Sequence, residues 1–353
     1  ATRLGVSVTL LEARQGPSRE SRSLALSHGS RNILDTAGAW GGCTEATEIH
    51  RIHTSQRGGF GRMVLSREDA GVPALGYVVS YAGLQDALDT RVSDQGITVL
   101  RGAVVTGFEE QPGSIQVRFD CAGESKTIGA DAVVLADGGA NLGKLDAISV
   151  SEKDYAQSAL LAHIETDTPH HGTAYERFTP EGPAALLPFG GDREYSLVWV
   201  SGPASIEALK ALDGAAFMSA FAGHFGSRAG NFLSVGERRS FPLKLRQVST
   251  RSVGRIAIIG NAAQALHPVA GQGFNLGLRD AEALAQRLAA MGPVAALAGF
   301  DNSRSRDVGR SIGFTDFLVG AFSNDHLISR LPRGIGLAAL DALPFARRAL
   351  ARR

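Results

Sequence analysis

The sequence has little cysteine, and its two cysteines do not form a recognisable site. Cys43 and Cys121 are the only cysteines among 353 residues, and they lie far apart with no C-x-x-C spacing, which argues against a disulfide framework and a zinc site. No apolar run of about 18 residues occurs, so no transmembrane helix is predicted, and no signal peptide is visible. These absences favour a reducing, cytosolic compartment.

The chain also lacks an excess of charge of either sign. Its 36 basic and 35 acidic residues leave a formal net charge of +1, so nothing attracts the whole chain to nucleic acid, and no nucleic-acid partner is expected. An apolar content of 44% with 43 glycines indicates a turn-rich α/β protein. The length allows two domains.

A third absence concerns the start of the sequence. Residues 6–12 (VSVTLLE) predict a strand that ends in an acid, which is typical of the second strand of a dinucleotide-binding unit. We interpret Glu12 as the acid that accepts hydrogen bonds from ribose hydroxyls. The G-x-G-x-x-G fingerprint expected about 20 residues before such an acid occurs nowhere in the sequence. We therefore expect the first strand and the phosphate loop of this unit to be missing from the sequence.

The most informative segment is residues 256–280, IAIIGNAAQALHPVAGQGFNLGLRD. The run before Gly260 is typical of a buried parallel strand, and ligands of open α/β sheets bind where such strands end. Apolar positions from Leu278 onward recur at helical spacing, which predicts a helix that begins near residues 273–275. The unpaired N–H groups at its N-terminus would favour an anionic group held by the preceding loop.

This segment resembles the second flavin-contact motif of the class A flavoprotein monooxygenases, which share the fold of para-hydroxybenzoate hydroxylase. Within them it is most similar to the ubiquinone-biosynthesis hydroxylases, especially the 2-polyprenyl-6-methoxyphenol hydroxylases. Asn261 replaces the usual aspartate of the motif, and an amide can still accept a hydrogen bond from a ribityl hydroxyl. The resemblance implies that the following residues of the segment bind FAD: Asn261, Pro268, Gly271, Gln272, Gly273, Phe274 and Asn275.

Two other segments resemble the same family. Arg22 precedes the run Leu-Ala-Leu-Ser, and the resemblance implies that it reaches the flavin, although an exposed arginine can simply be solvated. Asp137 and Gly138 follow a predicted strand at residues 131–136 and match the Asp-Gly motif that serves both the flavin and the reduced nicotinamide. The sequence departs from the family at residues 139–142, and an isolated Asp-Gly is also a common turn.

The patterns and the resemblance together predict a mixed α/β (α+β) fold. It consists of a Rossmann-like FAD-binding domain of the para-hydroxybenzoate hydroxylase type, an inserted antiparallel-sheet substrate domain and a C-terminal helical tail. The alternating pattern between residues 155 and 200 predicts the inserted sheet. The expected divisions are the first part of the FAD-binding domain at 1–150, of which 50–78 could add strands to the substrate sheet, the substrate domain at 151–247, the second FAD-binding part at 248–300 and the C-terminal helices at 301–353.

Candidate pocket residues lie on the predicted sheet, and by alternation about half of them should fill its own core instead. They are Phe178, Leu187, Phe189 and Trp199. Lys244 and Arg246 alternate with leucines and are interpreted as a solvated face.

No acid–base triad is apparent, so no catalytic residue is assigned. His267, the only titratable side chain in the loop before the helix, could relay a proton or orient Pro268. His50 and His53 lack acidic or cysteine companions, so no metal site is predicted.

The resemblance implies FAD as cofactor, NADPH or NADH as electron donor and O2 as co-substrate. Oxygen would reach an electron-rich ring carbon of a polyprenylated phenol through a flavin C4a-hydroperoxide. Such a substrate must come from the bilayer or a carrier protein. The tail at residues 327–353 mixes apolar residues with arginines, so it could lie on a membrane surface, dock a protein of a ubiquinone-biosynthesis complex or form a capping helix. The expected location is cytoplasmic, with peripheral association at the inner face of the membrane left open.

Two alternatives stay open at this point. The chain could be a flavoprotein of the same fold that acts on another aromatic or isoprenoid substrate, although Trp40 and Trp199 supply no Trp-x-Trp-x-Ile motif of the halogenases of this fold. It could also be a non-catalytic scaffold subunit of the biosynthetic complex if FAD cannot bind.

Overall fold

The computed structural model describes residues 5–17, 20–58, 61–266, 272–322, 341–343 and 347–348. His267, Pro268 and Gly271 lie outside the described residues, as does most of the tail after residue 322. The described part has the mixed α/β fold that the sequence predicts.

The described residues up to Leu135 form these strands and α-helices in order: β1 (Thr9–Glu12), β2 (Ser23–Ser27), α1 (His28–Ala37), β3 (Thr47–Ile49), β4 (Arg51–Gln56), β5 (Arg62–Ser66), α2 (Arg67–Ala70), β6 (Gly76–Ser80), α3 (Tyr81–Asp94), β7 (Thr98–Arg101), β8 (Val104–Gln111), β9 (Ser114–Cys121), β10 (Glu124–Ala130) and β11 (Val133–Leu135).

The remaining elements of the described residues follow in this order: β12 (Val150–Thr166), β13 (Thr173–Phe178), β14 (Ala184–Pro188), β15 (Glu194–Ser201), α4 (Pro203–Ala211), α5 (Gly214–Phe225), β16 (Phe232–Val235), β17 (Arg239–Val248), β18 (Ser252–Val253), β19 (Ile256–Ile258), β20 (Gln264–Ala265), α6 (Gln272–Ala298) and α7 (Phe300–Phe322).

The described strands form four small sheets and one large sheet. β1 pairs with β7 in parallel, and β11 pairs in parallel with β19, which also carries β18. β8, β9 and β10 form the antiparallel meander that the turns at residues 112–113 and 122–123 predict. β6 lies between β2 and β3.

The large sheet has nine strands. Its order is β20-β17-β12-β15-β14-β13-β4-β5, with β16 on β12, and its pairs are antiparallel except β13 with β4. β4 and β5 come from residues 51–66 and join this sheet, whereas β6 from the same stretch pairs elsewhere. The boundaries of the expected domains stay a prediction.

The two faces of the large sheet pack against different parts of the chain. Helices α4 and α5 cover one face with a core that contains Trp199, Phe217 and Phe221. The opposite face carries Ala174 and Leu187, which pack with Ile49 of β3, Val78 of β6 and other apolar residues. This second face therefore meets the segment of the chain that contains Arg22, because Ser23 and Ser196 share a hydrogen bond of 2.5 Å between their hydroxyls.

No single helix among the described residues is long and apolar enough to cross a membrane. Gly273–Ala298 and Phe300–Gly313 pass that test only as a pair, which is bent by 85°.

Candidate functional site

The carboxyl ends of β11 and β19 lie side by side and place two predicted site segments next to each other. Val133 to Leu135 pair with Ile256 to Ile258 in register, so Asp137 and Asn261 follow neighbouring strands. The Asp137 carboxylate accepts hydrogen bonds from the backbone N–H of Gly139 (2.8 Å) and of Asn141 (2.9 Å). Gly138 has φ = 71°, a conformation that glycine adopts without strain. Asp137 therefore fixes the turn that presents Gly138.

Arg246 of β17 joins these two strand ends. Its Nη2 donates to the carbonyl of Asn261 at 2.6 Å and also to the carbonyl of Gly138. The expectation that Arg246 belongs to a solvated face is wrong, because its guanidinium binds these two backbone carbonyls and its Nε is buried. The expectation for Lys244 is correct: its side chain is about half exposed and lies 3.9 Å from Glu152.

Helix α6 begins at Gln272, within one residue of the predicted start, and packs directly on the turn after β19. A Cβ added to Gly277 would lie 3.1 Å from the Cα of Gly260, and such a contact is tighter than a Cβ normally makes. Gly260 itself has φ = 60°. The two glycines allow the first turns of the helix to approach the end of the strand, so the N-terminus of α6 lies at the same edge as Asn261.

Two predicted cofactor-binding residues of α6 make contacts with the start of the chain. The buried side chain of Asn275 accepts from the N–H of Ser27 (2.8 Å) and donates to the carbonyl of Ala25 (3.0 Å). Phe274 packs against the core that contains Leu26. Both side chains hold α6 against β2, so they position the N-terminus of the helix at the site.

Glu12 and Arg22 lie at the ends of β1 and β2 and already have protein partners. Both oxygens of Glu12 accept hydrogen bonds from Arg14, and these bonds lower the pKa of Glu12. Arg22 pairs with Glu20 at 2.7 Å, and its guanidinium lies over the ring of Tyr81, 4.6 Å from the centroid. The described contacts do not join Glu12 to the edge formed by Gly138 and Asn261.

The predicted pocket residues divide between the two faces of the large sheet. Leu187 and Phe189 lie on the face that meets β3 and β6, and strand alternation puts Phe178 on the same face as Ala174. Trp199 lies on the other face, where its ring contacts Phe217, Phe221 and His224. Trp199 is therefore a core residue on the helix-covered face of the sheet, and the expectation that it lines the pocket is wrong.

Solved structures with the same architecture include a monooxygenase and an aromatic hydroxylase. The structure of p-nitrophenol 4-monooxygenase PnpA from Pseudomonas putida has a TM-score of 0.80 at 15% identity, over 99% of this chain and 91% of that one. The structure of CabE, an aromatic hydroxylase from angucycline biosynthesis, has a TM-score of 0.73 at 21% identity, over 99% and 70%. The chain therefore has the fold of these two proteins.

The chain belongs to the FAD binding domain family, whose model matches residues 2–299. It is 32% identical to the ubiquinone hydroxylase UbiL of Rhodospirillum rubrum, over 96% of this chain and 81% of the relative. It is 29% identical to the 3-demethoxyubiquinol 3-hydroxylase of Escherichia coli, over 96% and 89%. These similarities confirm the resemblance found in the sequence, and the chain is an FAD-dependent hydroxylase.

The described residues fit FAD. A Cβ added to Gly138 or to Gly273 would meet nothing within 4 Å, so open space lies beside both glycines where β11, β19 and α6 end or begin. The Oε2 of Glu12 accepts only from Arg14 in the described part of the chain, which leaves it capacity to accept from ribose hydroxyls. The residue assignments within this site stay predictions.

Proposed function

We propose that this protein hydroxylates the aromatic ring of a polyprenylated phenol in ubiquinone biosynthesis, with FAD as cofactor and with NADPH or NADH and O2 as co-substrates. The observation that carries the proposal is the edge at which Gly138, Asn261 and the start of α6 meet. The ubiquinone hydroxylases among the relatives support the substrate class.

When bound, FAD accepts two electrons from reduced nicotinamide and supplies one oxygen atom from O2 to the ring, while the other leaves as water. The residues of the chain bind and orient the cofactor and the substrate, and they shield the reacting ring from water. The N–H groups at the start of α6 would stabilise the negative charge of the reduced cofactor. Leu187, Phe189 and Phe178 would supply an apolar surface that keeps water away from the reacting ring.

The experiment is a single-turnover assay of the purified protein loaded with FAD. We expect a visible flavin spectrum, bleaching by NADPH or NADH that accelerates with 2-prenylphenol, and a product that gains one oxygen atom from labelled O2. Protein that stays colourless with excess FAD would leave only the scaffold alternative. A coloured protein that is reduced normally but does not oxygenate prenylated phenols would indicate another substrate for the same fold.

We also propose that the protein is cytoplasmic and associates peripherally with the inner face of the membrane, because a polyprenylated phenol is nearly insoluble in water. The basic, apolar residues 327–353 suit an anionic surface. Sedimentation with anionic and with neutral vesicles tests this, in the full chain and in a chain that ends at residue 326. Equal sedimentation of both chains would exclude the tail as the anchor.

A further inference from the structure

We propose that Glu176 and Gln56 form the polar end of the substrate site, where Glu176 binds the phenol hydroxyl and accepts its proton during ring oxygenation. This inference rests on the proposed function and adds to it the residues that recognise the substrate.

Glu176 points to the face of the large sheet opposite the one that α4 and α5 cover. Its neighbour Tyr175 packs on the helix-covered face, where its ring contacts those of Tyr195 and Phe225. Since side chains alternate along a strand, Glu176 lies on the opposite face, together with Ala174. That is the face that meets β2, β3 and β6 and that carries the apolar residues expected in the substrate pocket.

The Glu176 carboxyl lies in a mostly apolar row of the sheet. In register it stands between Thr54 of β4 and Ala185 of β14, and the next residues across the sheet in the same row are Val198 and Leu161. Within the described part of the chain the Glu176 carboxyl makes no hydrogen bond or ion pair, although its side chain is only partly exposed. Burial raises the pKa of Glu176 to about 7.

Gln56 is a second polar residue on the same face of the sheet. Gln56 pairs in register with Phe178, so it is a diagonal neighbour of Glu176 on the adjacent strand. Gln56 is only 7% exposed, and its buried Oε1 has no donor among the described residues. An enclosed acceptor without a donor is unfavourable, so a bound molecule that donates a hydrogen bond here would be favoured.

These observations define the ligand by its chemistry. Two oxygen acceptors without donors lie beside Phe178, Ala185 and Val198, so the site suits a flat apolar ring with O–H groups at one edge. A phenol meets this description, whereas its methyl ether offers the same ring without a donor. An inorganic anion does not, because Glu176 is itself an acid and the buried atom of Gln56 without a partner is its acceptor oxygen, not its amide nitrogen.

The chemical step follows from the acidities. A phenol has a pKa of about 10 and an ordinary glutamic acid about 4.3, so a carboxyl with a pKa near 7 is a much better acceptor for the phenolic proton at neutral pH. The ring carbon forms its bond to one oxygen atom of the reduced O2 while the O–O bond breaks, and the electron pair of that bond stays on the other oxygen, which leaves as water. In the same step the phenolic O–H bond breaks and the proton passes to the Glu176 carboxylate. The proton of the ring C–H then leaves to restore aromaticity, and Glu176 returns its proton to solvent.

A binding experiment tests the inference without reference to turnover. Calorimetry of the FAD-loaded protein compares 2-prenylphenol with 2-prenylanisole, its methyl ether. We expect the wild-type protein to bind the phenol about tenfold or more tightly, and Glu176→Ala and Gln56→Leu to lose most of that preference. Gln56→Leu should keep or raise the stability, because it removes an acceptor without a donor. Equal affinity of the wild-type protein for phenol and ether would overturn the inference.

A kinetic experiment then separates proton acceptance from mere positioning. Hydroxylation of 2-prenylphenol by the wild-type protein should increase with pH through about 7 as Glu176 ionises. Glu176→Gln should lower it by about 10²-fold or more and remove that pH dependence, while nicotinamide oxidation continues without product. Glu152→Gln, which changes an exposed carboxylate of the same sheet, is the matched control.

The outcomes distinguish the two proposals. A Glu176→Gln protein with the wild-type rate and pH profile would refute the role of Glu176 and leave the proposed function intact. A wild-type protein that prefers the phenol but does not hydroxylate it would refute the proposed function and leave the recognition site standing.

Discussion

Asp280 of α6 and Arg304 of α7 form an ion pair inside the protein, with 2.7 Å between Oδ1 and Nε. The Asp280 side chain is fully buried, and 9% of the Arg304 side chain is exposed. The other oxygen of Asp280 accepts from Gln264 of β20 at 2.7 Å, and Gln264 accepts from Arg251 at 2.9 Å. This network ties β20 to α6 and α7.

Replacement of Asp280 by alanine should strongly destabilise the protein, because the buried Arg304 guanidinium would keep only Asp307 as its carboxylate partner and Gln264 would lose its acceptor. The expected loss is about 3–5 kcal/mol in the free energy of unfolding, measured by urea denaturation. Glu237→Ala is the matched control, since Glu237 and Arg239 form an exposed pair at 2.8 Å, and such pairs contribute little. Equal losses in the two variants would show that burial does not make the Asp280 pair important.

The sequence predicts the elements that local pattern determines and misses the contacts that only the folded chain creates. β19, the start of α6 and the meander follow from the period of apolar residues and from glycine turns. The bond from Arg246 to Gly138 spans 108 positions, and no local period reveals it.

The same limit explains the buried pairs and the division of the sheet faces. Asp280 and Arg304 stand 24 residues apart on different helices, and a charged residue in a helix is usually on a wet face. Alternation shows that Trp199 and Val198 point opposite ways, but it does not show which face α5 covers. That face is chosen by tertiary packing.

Substitution of Gly277 by alanine should weaken FAD binding, because its Cβ would force α6 away from Gly260. We expect a lower affinity for FAD, measured by fluorescence quenching on titration, and a lower midpoint of urea unfolding. Gly309→Ala is the matched control in α7, where an added Cβ would meet nothing within 4 Å, so better helix propensity should raise stability by up to about 1 kcal/mol. If Gly277→Ala behaves like Gly309→Ala, the close approach is not required.

Removal of the Arg246 side chain should loosen the edge of the flavin site without unfolding the protein. Arg246→Ala leaves the carbonyls of Gly138 and Asn261 without their shared donor, so the two turns should hold the cofactor less firmly. Calorimetry should show a weaker affinity for FAD than in Lys244→Ala, which alters the same strand at an exposed position. Identical affinities in the two variants would contradict a role for Arg246 at this edge.

The buried imidazole of His224 should make the protein less stable in mild acid. Burial, and then the positive charges of Arg57 and Arg177, lower the pKa of His224 from 6.5 to about 4. Between these values the unfolded chain binds more protons than the folded one, so stability falls as the pH falls from about 6.5 towards 4. From pH 7 to pH 5 the free energy of unfolding should drop by about 2 kcal/mol from this group. His224→Gln should reduce that drop in urea titrations at both pH values, whereas His50→Gln, at a partly exposed site, should not. An unchanged drop in His224→Gln would assign the acid sensitivity to other groups.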